Sequence, residues 1–312
     1  MGMLIDGKWS EERIRNQDGR FVRPQSQFRG TVTADGSSGF KAEPGRYHLY
    51  VAYSCPWAHR TIIFRKLKGL EDVVSMAVAV PGARGEGWTF DDSFAGSTAD
   101  EANGFRFLHQ AYTAAQPGYT GTVTVPTLWD RKRGTIVNNE SSEIIRMFNS
   151  AFDLVGAQAG DSYPSALRGE IDRVNEFVYS HINNDVYRTG FASTQAAYEE
   201  AVEWVFEGLD TLEQRLSNHR YLVGDAITEA DWRLFVTLVR FDAVYYGLFK
   251  CNLRRIESYL HLQNYLTELY QVPGVADTVR MDHIVRGYYS IPFANPNGIV
   301  PKVPRLDFLA PA

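Results

Sequence analysis

Residues 50–60 read YVAYSCPWAHR, and Cys55 stands directly before Pro56 where an apolar run ends. A proline suits the first turn of a helix, because the N–H it lacks would be orphaned there anyway. Cys55 then sits at a helix N-terminus, where unpaired amides and the helix dipole favour an anion. A thiol in that setting loses its proton more easily, and the thiolate is the nucleophile. The residue three places on is Ala58, not a second cysteine, so no internal disulfide can close at this site. An external thiol must resolve any mixed disulfide formed there. A buried structural cysteine is the alternative reading of the same residue.

Two further pairs carry chemistry. Val125-Pro126 falls inside the run TVTVPTLWD. Proline is disfavoured inside a strand unless the strand is an edge or the bond is cis. A cis bond would leave the Val125 backbone able to pair with a cysteinyl peptide as an added strand; a plain edge-strand proline is the alternative. Glu140-Ser141 opens a helix. Its amides and hydroxyl could hold a carboxylate while Glu140 accepts from an ammonium, which matches the γ-glutamyl end of glutathione. Read alone, the pair is equally an ordinary helix cap. His59 lies four residues after Cys55 and could raise its thiolate character, but His59 and Arg60 read as solvated helix-surface positions. Trp57 reads as packing, and Cys251 as a small buried residue. No Cys/His cluster has metal-ligand spacing, no Gly-rich loop follows a strand, and no Gly-x-Ser-x-Gly elbow is present, so no metal is expected.

The elements that must position these residues form two groups. RYHLYVAY reads as a buried strand, PWAHRTIIFRKLKGL as a helix with Arg60, Arg65, Lys66 and Lys68 largely outward, and DVVSMAVAV as a second strand parallel to the first. A long polar insertion follows over 81–121, with a helix expected at 105–115. The strand TVTVPTLWD, a fourth strand TIVNN and the helix ESSEIIRMFNSAF complete the order β-α-β, insertion, β-β-α, which is the thioredoxin arrangement. Beyond a linker the periodicity is all helical. TEADWRLFVTLVRFDAVYY is apolar nearly all round and reads as a central helix opened by a Thr228/Asp231 capping box. The expected architecture is α/β plus all-α. An irregular extension covers 1–45, a thioredoxin-like glutathione-binding domain 46–155, a helical substrate domain 164–289 and a proline-rich tail 290–312.

Composition agrees. The 312 residues are 44% hydrophobic and 22% charged, and 32 basic against 37 acidic side chains give a net charge of -5. That balance argues against nucleic-acid and anionic-membrane surfaces. No apolar stretch approaches the ~18 residues of a membrane span. The start, MGMLIDGKWSEERI, lacks a basic-then-apolar leader pattern, so a cytoplasmic setting with reduced thiols is expected.

SCPWAHR, TVTVPTLWD, NNESSEIIRMFN, VYRTGFA, ADWRLFVTLVRFD, FKCNLRRI and NPNGIVP together resemble the glutathionyl-hydroquinone reductases, the Xi class of glutathione transferases. The resemblance spans about residues 40–304. It implies a glutathione transferase fold, a homodimer, and reduction of glutathionyl-hydroquinones by thiol attack, with glutathione as co-substrate. It implies Cys55 as nucleophile, and Trp88, Val125, Pro126, Glu140 and Ser141 as the glutathione site. Tyr187 and Tyr288 would face the quinol, although seventeen tyrosines leave core packing as their alternative reading. The implied intermediate is a Cys55–glutathione mixed disulfide. Two departures stand out. The family commonly reads Gly-Arg-Val-Thr-Val-Pro where this chain has Gly121-Thr122-Val123, so an arginine that helps bind a glutathione carboxylate is missing. The Ser-His pair usual after the family's Tyr-Tyr is also absent from YYSIPFANP. A general, Omega-like deglutathionylase and a non-catalytic module of this fold are the rival readings.

Overall fold

The computed structural model describes residues 2–11, 17–82 and 85–309. The chain divides into two units, Met1–Ile14 with Pro24–Gly160, and Arg15–Arg23 with Asp161–Ala312.

The first unit contains the strands β1 (Met3–Ile5), β2 (Lys8–Ser10), β3 (Val32–Thr33), β4 (Phe40–Lys41) and β5 (Tyr47–Val51). Helix α1 (Pro56–Leu67), strand β6 (Val74–Val78) and helix α2 (Leu108–Ala115) follow. Strands β7 (Gly121–Thr122), β8 (Thr127–Asp130) and β9 (Thr135–Asn138) and helix α3 (Ser141–Ser150) complete it. The central sheet runs β6-β5-β8-β9, with β5 parallel to β6 and antiparallel to β8, and β8 antiparallel to β9. This is the thioredoxin-like order. Every residue of β5 is buried, as a strand covered on both faces requires. Arg46, at the start of β5, grips the buried Asp130 carboxylate at the end of β8 with two bonds of 3.0 and 2.6 Å.

Three expectations change. Residues 1–45 carry β1–β4 rather than an irregular chain. β1 and β2 form a hairpin turning on Asp6-Gly7, both with positive φ, the geometry a two-residue type I′ turn demands. β1 also pairs with β7. The expected strand over 122–130 is two strands, β7 and β8, with a cis Val125–Pro126 bond between them. Finally, of the four charges expected outward, α1 keeps Arg65 and Lys66 half-buried and draws Arg60 and Lys68 inside. It packs against α3 and β5, and His59, Arg60 and Lys68 are all buried. Lys68 Nζ is held by Asp153 at 3.1 Å and the Gly160 carbonyl at 2.9 Å.

The long insertion is tied down by Asp100. Its carboxylate accepts from the Tyr50 hydroxyl at 2.9 Å and from the amides of Ala102 and Phe105 at 2.9 and 3.1 Å. Loop and sheet are thus joined through a buried carboxyl group whose oxygens are hydrogen-bonded, the condition under which burying it is tolerable.

The second unit is helical: α4 (Arg168–Val178), α5 (Asp185–Gly190), α6 (Gln195–Leu216), α7 (Glu229–Arg240), α8 (Leu260–Tyr270) and α9 (Met281–Tyr289). π-helical turns at Tyr179–Asn183 and Phe241–Tyr245 lead into α5 and out of α7. α7 is buried along nearly its whole length and opens with the expected Thr228/Asp231 capping box. Asp231 also accepts from the Leu222 amide at 2.9 Å and the Tyr265 hydroxyl at 2.7 Å.

Candidate active site

The sequence places Cys55 at the junction of β5 and α1, and the fold makes it the cap residue of that helix, with Pro56 in the first turn. Its backbone is extended, so the helix begins immediately after the sulfur-bearing residue. The side chain is half-buried, and Sγ lies 3.4 Å from the Val125 carbonyl oxygen, toward which the thiol donates. Val125 falls between β7 and β8, so its peptide stands at the thiol rather than inside the sheet. The second cysteine differs in every respect. Cys251 is fully buried, and burial pushes its thiol well above the ordinary range. Both cysteines are free.

Ser141 begins α3, and its hydroxyl accepts from Arg60 at 3.4 Å. Arg60 in turn lies over the Trp57 ring, 4.6 Å from its centroid. The residue expected on the surface therefore links α1 to the N-terminus of α3. Glu140 caps α3. Its carboxylate accepts from the Ser142 amide at 3.1 Å, the Ser142 hydroxyl at 2.9 Å and the Ser26 hydroxyl at 3.1 Å. One oxygen thus serves the helix, and the other the N-terminal segment. Trp88 is half-buried in the insertion, its carbonyl bonded to the Leu108 amide that starts α2 at 2.9 Å.

In the second unit, Tyr187 on α5 and Tyr288 on α9 come together, their hydroxyls 2.5 Å apart. A third tyrosine, which sequence reasoning missed, completes the cluster. Tyr245 ends the π-helical turn after α7 and bonds to the Tyr288 hydroxyl at 2.7 Å. Burial pushes the Tyr245 and Tyr288 phenols well above their ordinary range, so both stay protonated. Arg23, from the N-terminal segment, bonds Asn184 at 2.9 Å and lies over the Tyr187 ring at 4.7 Å. The described residues hold no group of three or more His, Cys, Asp or Glu side chains placed to bind a metal ion, and no helix long and apolar enough to cross a membrane.

A thioredoxin-like unit followed by a helical unit is the architecture of the glutathione transferases. Residues 54–151 match the model for the glutathione S-transferase N-terminal domain, and 195–268 that for the C-terminal domain. The glutathionyl-hydroquinone reductase YqjG of Escherichia coli K12 is 53% identical over 100% of this chain and 98% of its own length. The glutathionyl-hydroquinone reductase PcpF of Sphingobium chlorophenolicum is 53% identical over 97% of this chain and 96% of its own. The glutathione-bound structure of YqjG superposes with a TM-score of 0.92 at 51% identity, covering 99% of this chain and 98% of that one. The Xi-class transferase of Natrialba magadii gives 0.93 at 45%, over 100% and 96%. The chain belongs to the glutathione S-transferase family and, within it, to the Xi-class glutathionyl-hydroquinone reductases.

Proposed function

We propose that the protein reduces glutathionyl-hydroquinones to hydroquinones at the expense of glutathione. The observation that carries this reading is the Cys55 thiol at the start of α1, 3.4 Å from the Val125 carbonyl. A dithiol oxidoreductase needs a partner cysteine, and this site has none.

The proposed reaction runs in two halves. The Val125 peptide pairs with the cysteinyl residue of the substrate's glutathione arm, and the α3 N-terminus with Ser141 receives its γ-glutamyl carboxylate. Glu140 takes the ammonium, and Trp88 packs on the tripeptide. The Cys55 thiolate then attacks the glutathionyl sulfur. A sulfur–sulfur bond forms, the carbon–sulfur bond breaks, and its electron pair passes to the ring. In a ketone tautomer that pair flows onto a ring oxygen, where a tyrosine hydrogen bond stabilises the developing charge. Protonation of the ring carbon gives the hydroquinone. In the second half, a glutathione thiolate attacks the Cys55–glutathione disulfide, releasing oxidised glutathione and the Cys55 thiolate. The order is ping-pong. The same reading, on the family resemblance alone, takes the protein as a cytoplasmic homodimer.

The test is turnover of a model glutathionyl-hydroquinone with excess glutathione, followed by chromatography. One hydroquinone and one oxidised glutathione per substrate consumed are expected. Release of glutathione from peptide disulfides with no hydroquinone formed would replace this reading with a general deglutathionylase.

A further inference from the structure

A single phenol ties together the two stretches of chain assigned to the glutathione arm. Tyr112 lies on α2, inside the long insertion, and is fully buried. Its hydroxyl oxygen accepts from the Thr124 amide at 3.2 Å and from Asn139 Nδ2 at 3.1 Å. Both donors are N–H groups, so the direction of these bonds does not depend on where the phenol hydrogen points. The Asn139 amide has one orientation, because its Oδ1 accepts from the Phe28 amide at 3.1 Å and Nδ2 is thereby turned to Tyr112. Thr124 directly precedes Val125, whose carbonyl lies toward Cys55. Asn139 directly precedes Glu140 and Ser141, where α3 begins. The Thr124 carbonyl also lies 3.0 Å from the same hydroxyl, so both sides of Thr124 are held by one side chain.

We propose that Tyr112 is a positioning residue that fixes the spacing between the Val125 peptide and the α3 N-terminus, and so selects a ligand that carries a γ-glutamyl group. The inference rests on the glutathione site proposed above and deepens it. A ligand held at two points gains from the second only if the two points keep the separation it needs. A spacing fixed in advance removes the cost of finding it on binding. The Val125 peptide meets the cysteinyl residue, which every cysteinyl peptide has. Only a γ-glutamyl group reaches the start of α3. Loss of the tie therefore weakens the γ-glutamyl contact first. The inference also gives the insertion a role, since α2 packs against β9 and carries Tyr112 to the junction.

The test follows adduct formation on Cys55 by mass, in the full-length reduced protein, with three disulfides. They are oxidised glutathione, the disulfide of cysteinylglycine, which lacks the γ-glutamyl group, and hydroxyethyl disulfide, which carries no peptide. In each case the Cys55 thiolate attacks one sulfur, a new sulfur–sulfur bond forms, the old one breaks, and the other half leaves as its thiolate. Tyr112→Phe removes only the hydroxyl. It is expected to slow the reaction with oxidised glutathione about 5–10-fold, the size of one hydrogen bond's contribution. The cysteinylglycine disulfide should slow less than about 2-fold on the same scale. Hydroxyethyl disulfide should keep its rate, which also verifies a folded protein with a reactive thiol. Asn139→Ala breaks the same tie from its other end and should reproduce the pattern, with no further loss in the double variant. Equal slowing of the two peptide disulfides, an unchanged rate with oxidised glutathione, or additive losses in the double variant would each overturn the proposal while the reductase reading stands. A wild-type protein that takes oxidised glutathione no faster than the cysteinylglycine disulfide would overturn the glutathione site itself, and this proposal with it.

Discussion

The Cys55 sulfur and the Val125 carbonyl oxygen stand 3.4 Å apart although 70 residues separate them in the chain. In the proposed reaction, this contact sets where a cysteinyl substrate would lie for its sulfur to be attacked. It also explains why two distant motifs, Cys-Pro and Val-Pro, belong to one site.

Arg60 is the first residue to test around that contact. It is buried and reaches the Ser141 hydroxyl at 3.4 Å. Arg60→Met keeps the stem and removes the charge, so Ser141 loses the partner that orients it. KM for glutathione should rise about 5–10-fold with kcat changed less than about 2-fold, since a binding contact is lost rather than one made only in the transition state. Steady-state kinetics decide it: an unchanged KM would show that Arg60 serves packing alone.

Thr122 offers a gain of function. It lies in β7, half-exposed, paired with Met3 of β1. The related proteins' usual arginine at this point is absent. Thr122→Arg should lower the Kd of glutathione about 10-fold, one charge-assisted contact being worth roughly 1.4 kcal/mol. Calorimetric titration measures it. An unaltered or weaker affinity would mean that the carboxylate is held by other groups in this chain.

His48 predicts a pH dependence. Its ring is buried in β5, with Nδ1 2.8 Å from the Ser75 hydroxyl and Nε2 3.6 Å from Asp100. Burial depresses its pKa, Arg131 and Arg65 push the same way, and only the Asp100 carboxylate opposes them. The folded protein therefore keeps His48 neutral where the unfolded chain already binds a proton. Its contribution to stability is complete above about pH 6.5 and is lost as pH falls toward about 4. Denaturant unfolding across that window should show wild type losing up to about 3 kcal/mol more than His48→Gln. Parallel slopes for the two proteins would contradict the assignment.

The parts of the fold legible in the sequence are those whose signals are local. The Cys-Pro junction, the buried β5 and the Thr228/Asp231 box each follow from a few adjacent residues. The proline inside TVTVPTLWD pointed to an exception in the strand, and the chain breaks there into β7 and β8 around a cis bond. What was not legible depends on tertiary neighbours. Helical periodicity assigns α1 one buried face, but α1 is covered by both α3 and β5, so Arg60 and Lys68 are drawn inside by Ser141, Asp153 and a carbonyl. The three-residue strands β1 and β2 are too short to show alternation, and only Asp6-Gly7 marks their turn. Tyr245 lies in a segment apolar nearly all round, where nothing but proximity to Tyr288 separates it from the other core tyrosines.

The central claim is that Cys55 takes the glutathionyl group from a ring carbon. It is tested most directly by mixing reduced enzyme with one equivalent of a model glutathionyl-hydroquinone, without free glutathione, and weighing the protein. The account predicts one hydroquinone released and one glutathione gained, mapped to the peptide containing Cys55, with Cys251 unmodified and Cys55→Ala inert. Hydroquinone release by Cys55→Ala, or release from wild type with no adduct on Cys55, would contradict it.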